Sequence, residues 1–229
     1  MTRISMARDA ILEAVNGVSG RQRVAPEHIA AEARALLDGP DRVRPTLSAP
    51  DVVESFVARI TGPKVGASMD RIATLHELPA AVARYLARKG LELHVTLQPT
   101  GMLTAIDWQG AGLRVNNETD GANIVGLARW GIAETGSLVF HSAADMPILY
   151  NFLGDVHIVA VHAAAIVPYL EDYAATARRL GDPAPRNACL ITGASGTTDI
   201  EGSLVKGAHG LRELHIVVVD TLPEGSSPR

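Results

Sequence analysis

The sequence predicts an α/β fold: an open, mainly parallel sheet with helices on both faces, preceded by a helical N-terminal subdomain. Two observations carry this prediction. From residue 64 onward, short β-branched runs (NIVGLA, GSLVF, VHIVAV, ACLIT, ELHIVVV) alternate with stretches of helical periodicity. Several of these runs are apolar at nearly every position instead of at alternate ones, as in strands buried on both faces.

Residues 1–63 lack such runs and read as helices. Ile4, Ile11, Val15 and Val18 recur at helical spacing, with Gly20 as the stop. Pro26 opens a second helix with Ile29, Ala33, Leu36 and Leu37 as its stripe and Gly39-Pro40 as its end. Ser48 is a candidate N-cap, with Asp51 at capping-box spacing, for a third helix lined by Val52, Val53, Phe56, Val57 and Ile60. The domain layout read from this texture is a helical subdomain 1–63, an α/β domain 64–222 and a mobile tail 223–229.

Within the second domain, Leu78 to Lys89 reads as a helix with Pro79 in its first turn and Gly90 after its end. LELHVTL, LTAIDW and LRVNNE read as strands, followed by NIVGLA, GSLVF and VHIVAV. AAIVPYLEDYAATARRL is expected to be a helix with Pro168 near its first turn. ACLIT is expected to be a strand, TTDIEGSLV a short helix, and ELHIVVV the last strand. The five strongly apolar runs are expected to share one sheet.

Composition excludes several functions. The chain has 229 residues, 47% of them apolar, with 21 Lys+Arg against 25 Asp+Glu and a net charge of −4. A disordered chain would be less apolar, and a nucleic-acid binder would show basic excess. A single cysteine, Cys189, can form no intrachain disulfide and cannot hold an iron–sulfur cluster. The eight histidines show no HxH or HExxH spacing, and there is no GxGxxG or Walker fingerprint, so no metal, haem or nucleotide cofactor is expected. The first residues carry Arg3, Arg8, Asp9 and Glu13, which leaves no signal core. The charge-free run between Asp155 and Glu171 is too short to span a bilayer, so a cytoplasmic location with no membrane partner is the expectation.

Two polar, glycine-bounded breaks are candidates for chemistry. The first is TGASGTTDIE. Gly193 and Gly196 permit close backbone approach, and Ser195, Thr197, Thr198 and Asp199 stand where a helix is expected to begin. Free N–H groups there favour a small anion, while Ser, Thr and Asp also serve as ordinary caps. His209, between glycines in KGAHG, suits proton transfer or a hydrogen bond to a bound anion, or is an exposed loop histidine. The second is AETGS. Glu134 is a candidate base or nucleophile after the NIVGLA strand, with Thr135, Gly136 and Ser137 as ligand-binding partners; a turn-capping role fits the same residues. His215, on the last strand, reads as structural, and Cys189 reads as inert core.

GIAETGSLVF, DVHIVAV, LITGASGTTDIEGSLVKGAHG and ELHIVVV, in this order, resemble the LUD-domain family of lactate-utilisation proteins, in particular its lactate-utilisation protein C group. The likeness covers about residues 65–220. It implies a fold similar to the phosphosugar isomerase, CoA-transferase and formyltetrahydrofolate cyclo-ligase group. It also implies an accessory role in cytoplasmic oxidation of L-lactate to pyruvate, with iron–sulfur partner proteins carrying the electrons. The family pattern has an arginine where Gly196 stands, a proline at Leu211, and an arginine in the segment that here reads DMPILYNFLGD. Arg129 and Arg212 are the candidate substitutes. Two other functions remain open: a stand-alone transferase or ligase using Glu134 and the 193–199 turn, and a non-catalytic binding or regulatory module. A homo-oligomer is compatible with each.

Overall fold

The computed structural model describes residues 3–19, 24–38, 44–181, 184–198, 204–207 and 210–222. The chain divides into two compact units, Met1–Thr46 and Leu47–Arg229. The first contains helices α1 (Arg3–Ser19) and α2 (Pro26–Asp38). Proline at the first position of α2 loses no helical hydrogen bond, because that N–H has no intrahelical acceptor. Ile11, Val15 and Ile29 are exposed. The stops placed at Gly20 and Gly39-Pro40, together with Asp199, His209 and the tail 223–229, lie outside the described residues.

The second unit begins with α3 (Val52–Thr61), capped by Asp51, whose side chain accepts from the Glu54 N–H at 2.8 Å. Asp51, not Ser48, is therefore the N-cap. Ser48 lies in a bend, and it is Ser55 that closes the preceding turn through both the N–H and the C=O of Ala49. Phe56 and Ile60 are fully buried in the core of this unit. The break between the two compact units falls after Thr46, so α3 packs within the second unit.

Next come β1 (Ser68–Thr74), α4 (Leu78–Lys89), β2 (His94–Leu97), a helical turn α5 (Gly101–Thr104), β3 (Arg114–Asn116) and β4 (Asn123–Ala128). They are followed by β5 (Trp130–Ile132), β6 (Ser137–His141), α6 (Tyr150–Leu153), β7 (Val156–His162), β8 (Ile166–Val167) and α7 (Leu170–Arg179). The chain ends with β9 (Ala188–Ile191), β10 (Gly196–Thr198), β11 (Leu204–Lys206) and β12 (Glu213–Thr221). Six of these strands form the expected open parallel sheet, in the order β1-β12-β7-β4-β2-β3. On one face Leu78, Val82, Tyr85 and Leu86 of α4 pack against Val125, Ile158, Val217 and Val219. On the other, Phe56, Leu138, Phe140 and Ile191 pack against Val159, Ile216 and Val218. Each fully buried Val, Leu or Phe side chain contributes roughly 1.5–3 kcal/mol, so the two cores fix the central strands β4, β7 and β12.

Four expectations are corrected. GSLVF and ACLIT do not join the main sheet. They are β6 and β9 of a separate four-stranded sheet, β8-β5-β6-β9, backed by Tyr173 and Ala177 of α7. The cause is the turn at Gly136, whose φ of +74° reverses the chain directly after β5. A strand returning through so tight a turn can only pair antiparallel, because a parallel neighbour needs a long crossover. LTAIDW is not a strand: Gly101–Thr104 is helical, and the Trp108 indole N–H donates to Leu103 C=O at 2.8 Å. TTDIEGSLV does not form one helix. Gly196–Thr198 and Leu204–Lys206 pair antiparallel, as suits threonine and valine, which are stiff at χ1. In AAIVPYLEDYAATARRL the helix begins only at Leu170. Val167, before Pro168, is held extended in β8.

Candidate functional site

The turn after β9 is built around Gly193. Its φ is +100°, and a Cβ there would lie 2.8 Å from the Val65 carbonyl oxygen, so only glycine lets the turn lie against the segment leading to β1. Ser195 then pins it: its N–H donates to Leu211 C=O, and its C=O accepts from the Gly207 N–H, both at 2.8 Å. These bonds hold the β10–β11 hairpin beside the start of β12.

A cavity of about 650 Å³ opens there, lined by Pro63 to Gly66, Ser68, Lys89, Ala194 to Gly196, Lys206 and Arg212 to Leu214. Ser68 and Glu213 are the first residues of β1 and β12, so the cavity sits at the amino ends of these parallel strands. Four cationic residues, Lys64, Lys89, Lys206 and Arg212, face one carboxylate, Glu213. Lys89 is paired with Glu213 at 2.6 Å and Arg212 with Asp155 at 3.5 Å. Lys64 and Lys206 have no ion pair among the described residues. A cleft lined by one sign of charge concentrates counter-ions, and this one suits an anion.

The floor is a stacked, hydrogen-bonded group. Ser68 Oγ lies 2.9 Å from His215 Nδ1, and the His215 ring stacks on Tyr85 with centroids 4.0 Å apart. Tyr85 O–H donates to Glu213 at 3.0 Å. Burial pushes His215 down to about 4, so it is neutral at pH 7. Burial, with the Glu213 hydrogen bond second, pushes the Tyr85 phenol up. Glu213 is held below the usual carboxylate range, first by its hydrogen bond from Lys89.

The two polar breaks meet, but not at the cavity. Ser137 Oγ is buried and lies 2.7 Å from Thr135 Oγ1 and 2.6 Å from Thr192 Oγ1, which joins AETGS to the residue preceding Gly193. Glu134 is half-buried in the β5–β6 turn, not at the end of NIVGLA, and its N–H donates to Pro168 C=O at 3.0 Å. Glu134, Thr135, Gly136 and Ser137 do not line the cavity; Ser195 and Gly196 do. The backbones of Thr197 and Thr198 continue the hairpin opposite Val205 and Leu204. Of the two substitute arginines, Arg212 lines the cavity. Arg129 instead lies 3.3 Å from His141 Nδ1, over the Trp130 ring. Sequence reading missed Lys64, Lys89, Lys206 and Ser68, which converge from separate elements without a local motif. Cys189 is buried as expected, and burial pushes its thiol up. Among the described residues no three His, Cys, Asp or Glu side chains are grouped to hold a metal, and no helix is long and apolar enough to cross a membrane.

The sequence pattern of the LUD domain matches residues 64–219. Similar curated proteins include the lactate utilization protein C of Geobacillus kaustophilus, 32% identical over 128 residues and 53% of each chain. That of Bacillus licheniformis is 32% identical over 120 residues, half of each chain. An uncharacterised protein of Neisseria meningitidis is 32% identical over 101 residues, 44% of this chain and 42% of its own. The chain thus matches about half the length of these relatives. The crystal structure of a DUF162 family protein from Deinococcus radiodurans superposes with a TM-score of 0.50 at 25% identity, over 76% of this chain and 99% of that one. With the parallel sheet, the glycine turn and the order of the sequence blocks all in agreement, the chain belongs to the LUD-domain family.

Proposed function

We propose that this chain is an accessory subunit of a lactate-utilisation system and binds a small carboxylate in the basic cavity. One observation carries the reading: Lys64 and Lys206, without ion pairs among the described residues, face a cavity bounded by the Ser195–Gly196 turn. A carboxylate such as L-lactate or pyruvate offers the charge that these lysines lack. The names of the relatives from Geobacillus and Bacillus support the choice of acid. One cysteine cannot hold an iron–sulfur cluster, so electron transfer is assigned to separate iron–sulfur subunits, with the chain working beside them in the cytoplasm. In this reading His209 is the candidate proton-handling group, and Glu134, outside the cavity, holds the β5–β6 turn. Ser195 supplies a hydroxyl contact from the cavity wall, and Thr197, Thr198 and Asp199 continue the same segment, while Thr135 and Ser137 brace it through Thr192.

The test is calorimetric titration of the full chain with L-lactate and with pyruvate, repeated on Lys206→Ala. A charge-assisted hydrogen bond contributes about 1.5–3 kcal/mol, so the variant should bind about ten- to a hundredfold more weakly. The accessory role is tested by growth on L-lactate of a strain lacking the gene but retaining the iron–sulfur subunits. Wild-type chain should restore growth and Lys206→Ala should not. Absence of binding at millimolar acid overturns the ligand, and growth unaffected by deletion overturns the role.

A further inference from the structure

The sheet edges differ in how they are guarded. An edge strand offers unpaired N–H and C=O groups, and folded proteins blunt such edges with charges, proline or very short strands. In the main sheet, β1 carries Asp70 and Arg71, which pair with Arg88 and Asp220, and β3 has three residues beginning with Arg114. In the second sheet, β8 has two residues and runs into Pro168. The hairpin strands β10 and β11 have three residues each, and β11 ends on Lys206. β9 is the exception. Its segment NACLIT holds no charge and no proline, and Pro185 and Arg186 stand before it.

The ladder shows which backbone groups of β9 are open. The Ser142 N–H donates to Asn187 C=O at 2.9 Å, and β9 pairs with β6 from Ala188 opposite His141 to Ile191 opposite Leu138. In an antiparallel ladder each residue turns both backbone groups to one side, and successive residues alternate. Cys189 and Ile191 therefore bond to β6. Ala188 and Leu190 point their N–H and C=O away from the sheet, where no described residue takes them. The side chains alternate as well. Cys189 and Ile191 are buried in the core, whereas Leu190 is 41% exposed. Leu190 lies beside Val139, at the margin of the cluster that Trp130, Ile132 and Val139 form with Tyr173 and Ala177 of α7.

We propose that β9 pairs antiparallel with β9 of a second copy of this chain, about a two-fold axis at Leu190. In that register the two Leu190 residues exchange N–H···O=C bonds, and each Ala188 faces Thr192 of the other copy. The same strand reversed supplies a matching acceptor for every outward donor. The two Leu190 side chains lie side by side, with Cα atoms about 5.5 Å apart, and extend the Val139 cluster across the axis. The occupant is a second copy because a two-fold pairing closes: the same edge is used up on both chains. The joined sheet then ends on β8 at either side, where Pro168 stops further pairing. An edge of this composition left uncovered would instead invite unlimited association. Neither Ala188 nor Leu190 lines the basic cavity, so the pairing stands apart from the carboxylate reading.

The test is sedimentation of the full chain across a concentration series, with amide hydrogen exchange on the same samples. Wild type should sediment as a dimer that dissociates on dilution, its Leu190 amide protected in the dimer and exchanging fast in the monomer. Ala188→Pro removes an outward N–H and no bond to β6, and Leu190→Lys puts a charge at the axis on an exposed position. Both should be monomers at concentrations where wild type is dimeric, with unchanged circular dichroism. Should Ala188→Pro lose the native spectrum, Leu190→Lys and the Leu190 amide decide the matter. Leu170→Lys, at a similarly exposed leucine of α7, should remain a dimer. A wild-type monomer at every concentration, a dimer that survives the β9 variants, or a dimer whose Leu190 amide exchanges as fast as in the monomer overturns the proposal.

Discussion

Gly193→Ala, compared with Gly90→Ala, separates two costs of a side chain at positive φ. Gly90 has φ +67° and ends α4 with nothing within 4 Å of where an alanine methyl would stand, so alanine there meets backbone strain alone. That cost is about 1 kcal/mol, partly offset by the lower entropy of the unfolded alanine chain. At Gly193, φ is +100° and the methyl would lie 2.8 Å from Val65 O and 3.4 Å from Val65 Cα. Backbone cannot swing aside like the end of a side chain, so overpacking of about 1–3 kcal/mol adds to the strain. The total is about 2–4 kcal/mol. For a unit of this size each kcal/mol moves the melting temperature by about 2–4 °C. Gly193→Ala should therefore lose roughly 5–15 °C, and Gly90→Ala less than about 4 °C. The assay is thermal melting, with urea unfolding to check that the m-value is unchanged. Because Val65 lines the basic cavity, Gly193→Ala should also weaken L-lactate binding while Gly90→Ala leaves it alone. Equal losses of stability in the two variants would refute the claimed contact between the turn and Val65.

Burial holds His157 and His215 at about 4 against an ordinary value of 6.5. The unfolded chain takes up these protons below about pH 6.5 and the native chain resists until about pH 4, so stability is full above pH 7 and falls across that window. The loss should approach about 3 kcal/mol per histidine by pH 4; urea midpoints from pH 4 to 8 read it, and His157→Leu should remove about half of the slope. Ser137→Ala breaks the hydroxyl chain to Thr192 and should cost about 1 kcal/mol in urea unfolding. Tyr85→Phe removes the bond to Glu213 at the cavity floor and should cost a similar amount by the same assay, with the Glu213 carboxyl titrating higher by NMR.

The central strands were legible because β4, β7 and β12 are buried on both faces and so are apolar at consecutive positions. Their neighbours were not. β1 reads SMDRIAT, with Ile72 as its one buried residue, because it is an edge strand whose Arg71 reaches Asp220 at 2.8 Å. A polar edge strand has no alternation to betray it. GSLVF looked like a sheet member and is one, but which sheet it joins depends on the Gly136 reversal, a matter of one dihedral that residue type permits without dictating. The candidate site divided in the same way. Gly193, Ser195 and Gly196 announced a turn against a ligand-sized space. The lysines at 64, 89 and 206 come from three distant segments and share nothing until the sheet brings them together.

The position of Lys206 bears on the family pattern, which has an arginine where this chain has Gly196. In the β10–β11 hairpin Gly196 is paired directly with Lys206, and both line the basic cavity. In the proposed reading, the cationic role that the resemblance implies at one strand is taken by the facing position of its neighbour, since cross-strand partners have Cβ positions only about 5 Å apart. Transferring the charge back should then preserve binding. Lys206→Ala should weaken L-lactate about tenfold or more. Adding Gly196→Arg to that variant should restore most of the loss. Gly196 is not among the positive-φ glycines, so arginine meets no backbone strain there. Gly196→Arg alone should tighten binding or leave it unchanged, because the added guanidinium joins Lys206 without displacing it. Calorimetric titration at two salt concentrations reads the outcome, and the restored affinity should fall with salt as the original does. If the double variant binds as weakly as Lys206→Ala, the two positions do not serve one anion, and the hairpin pairing is a structural coincidence.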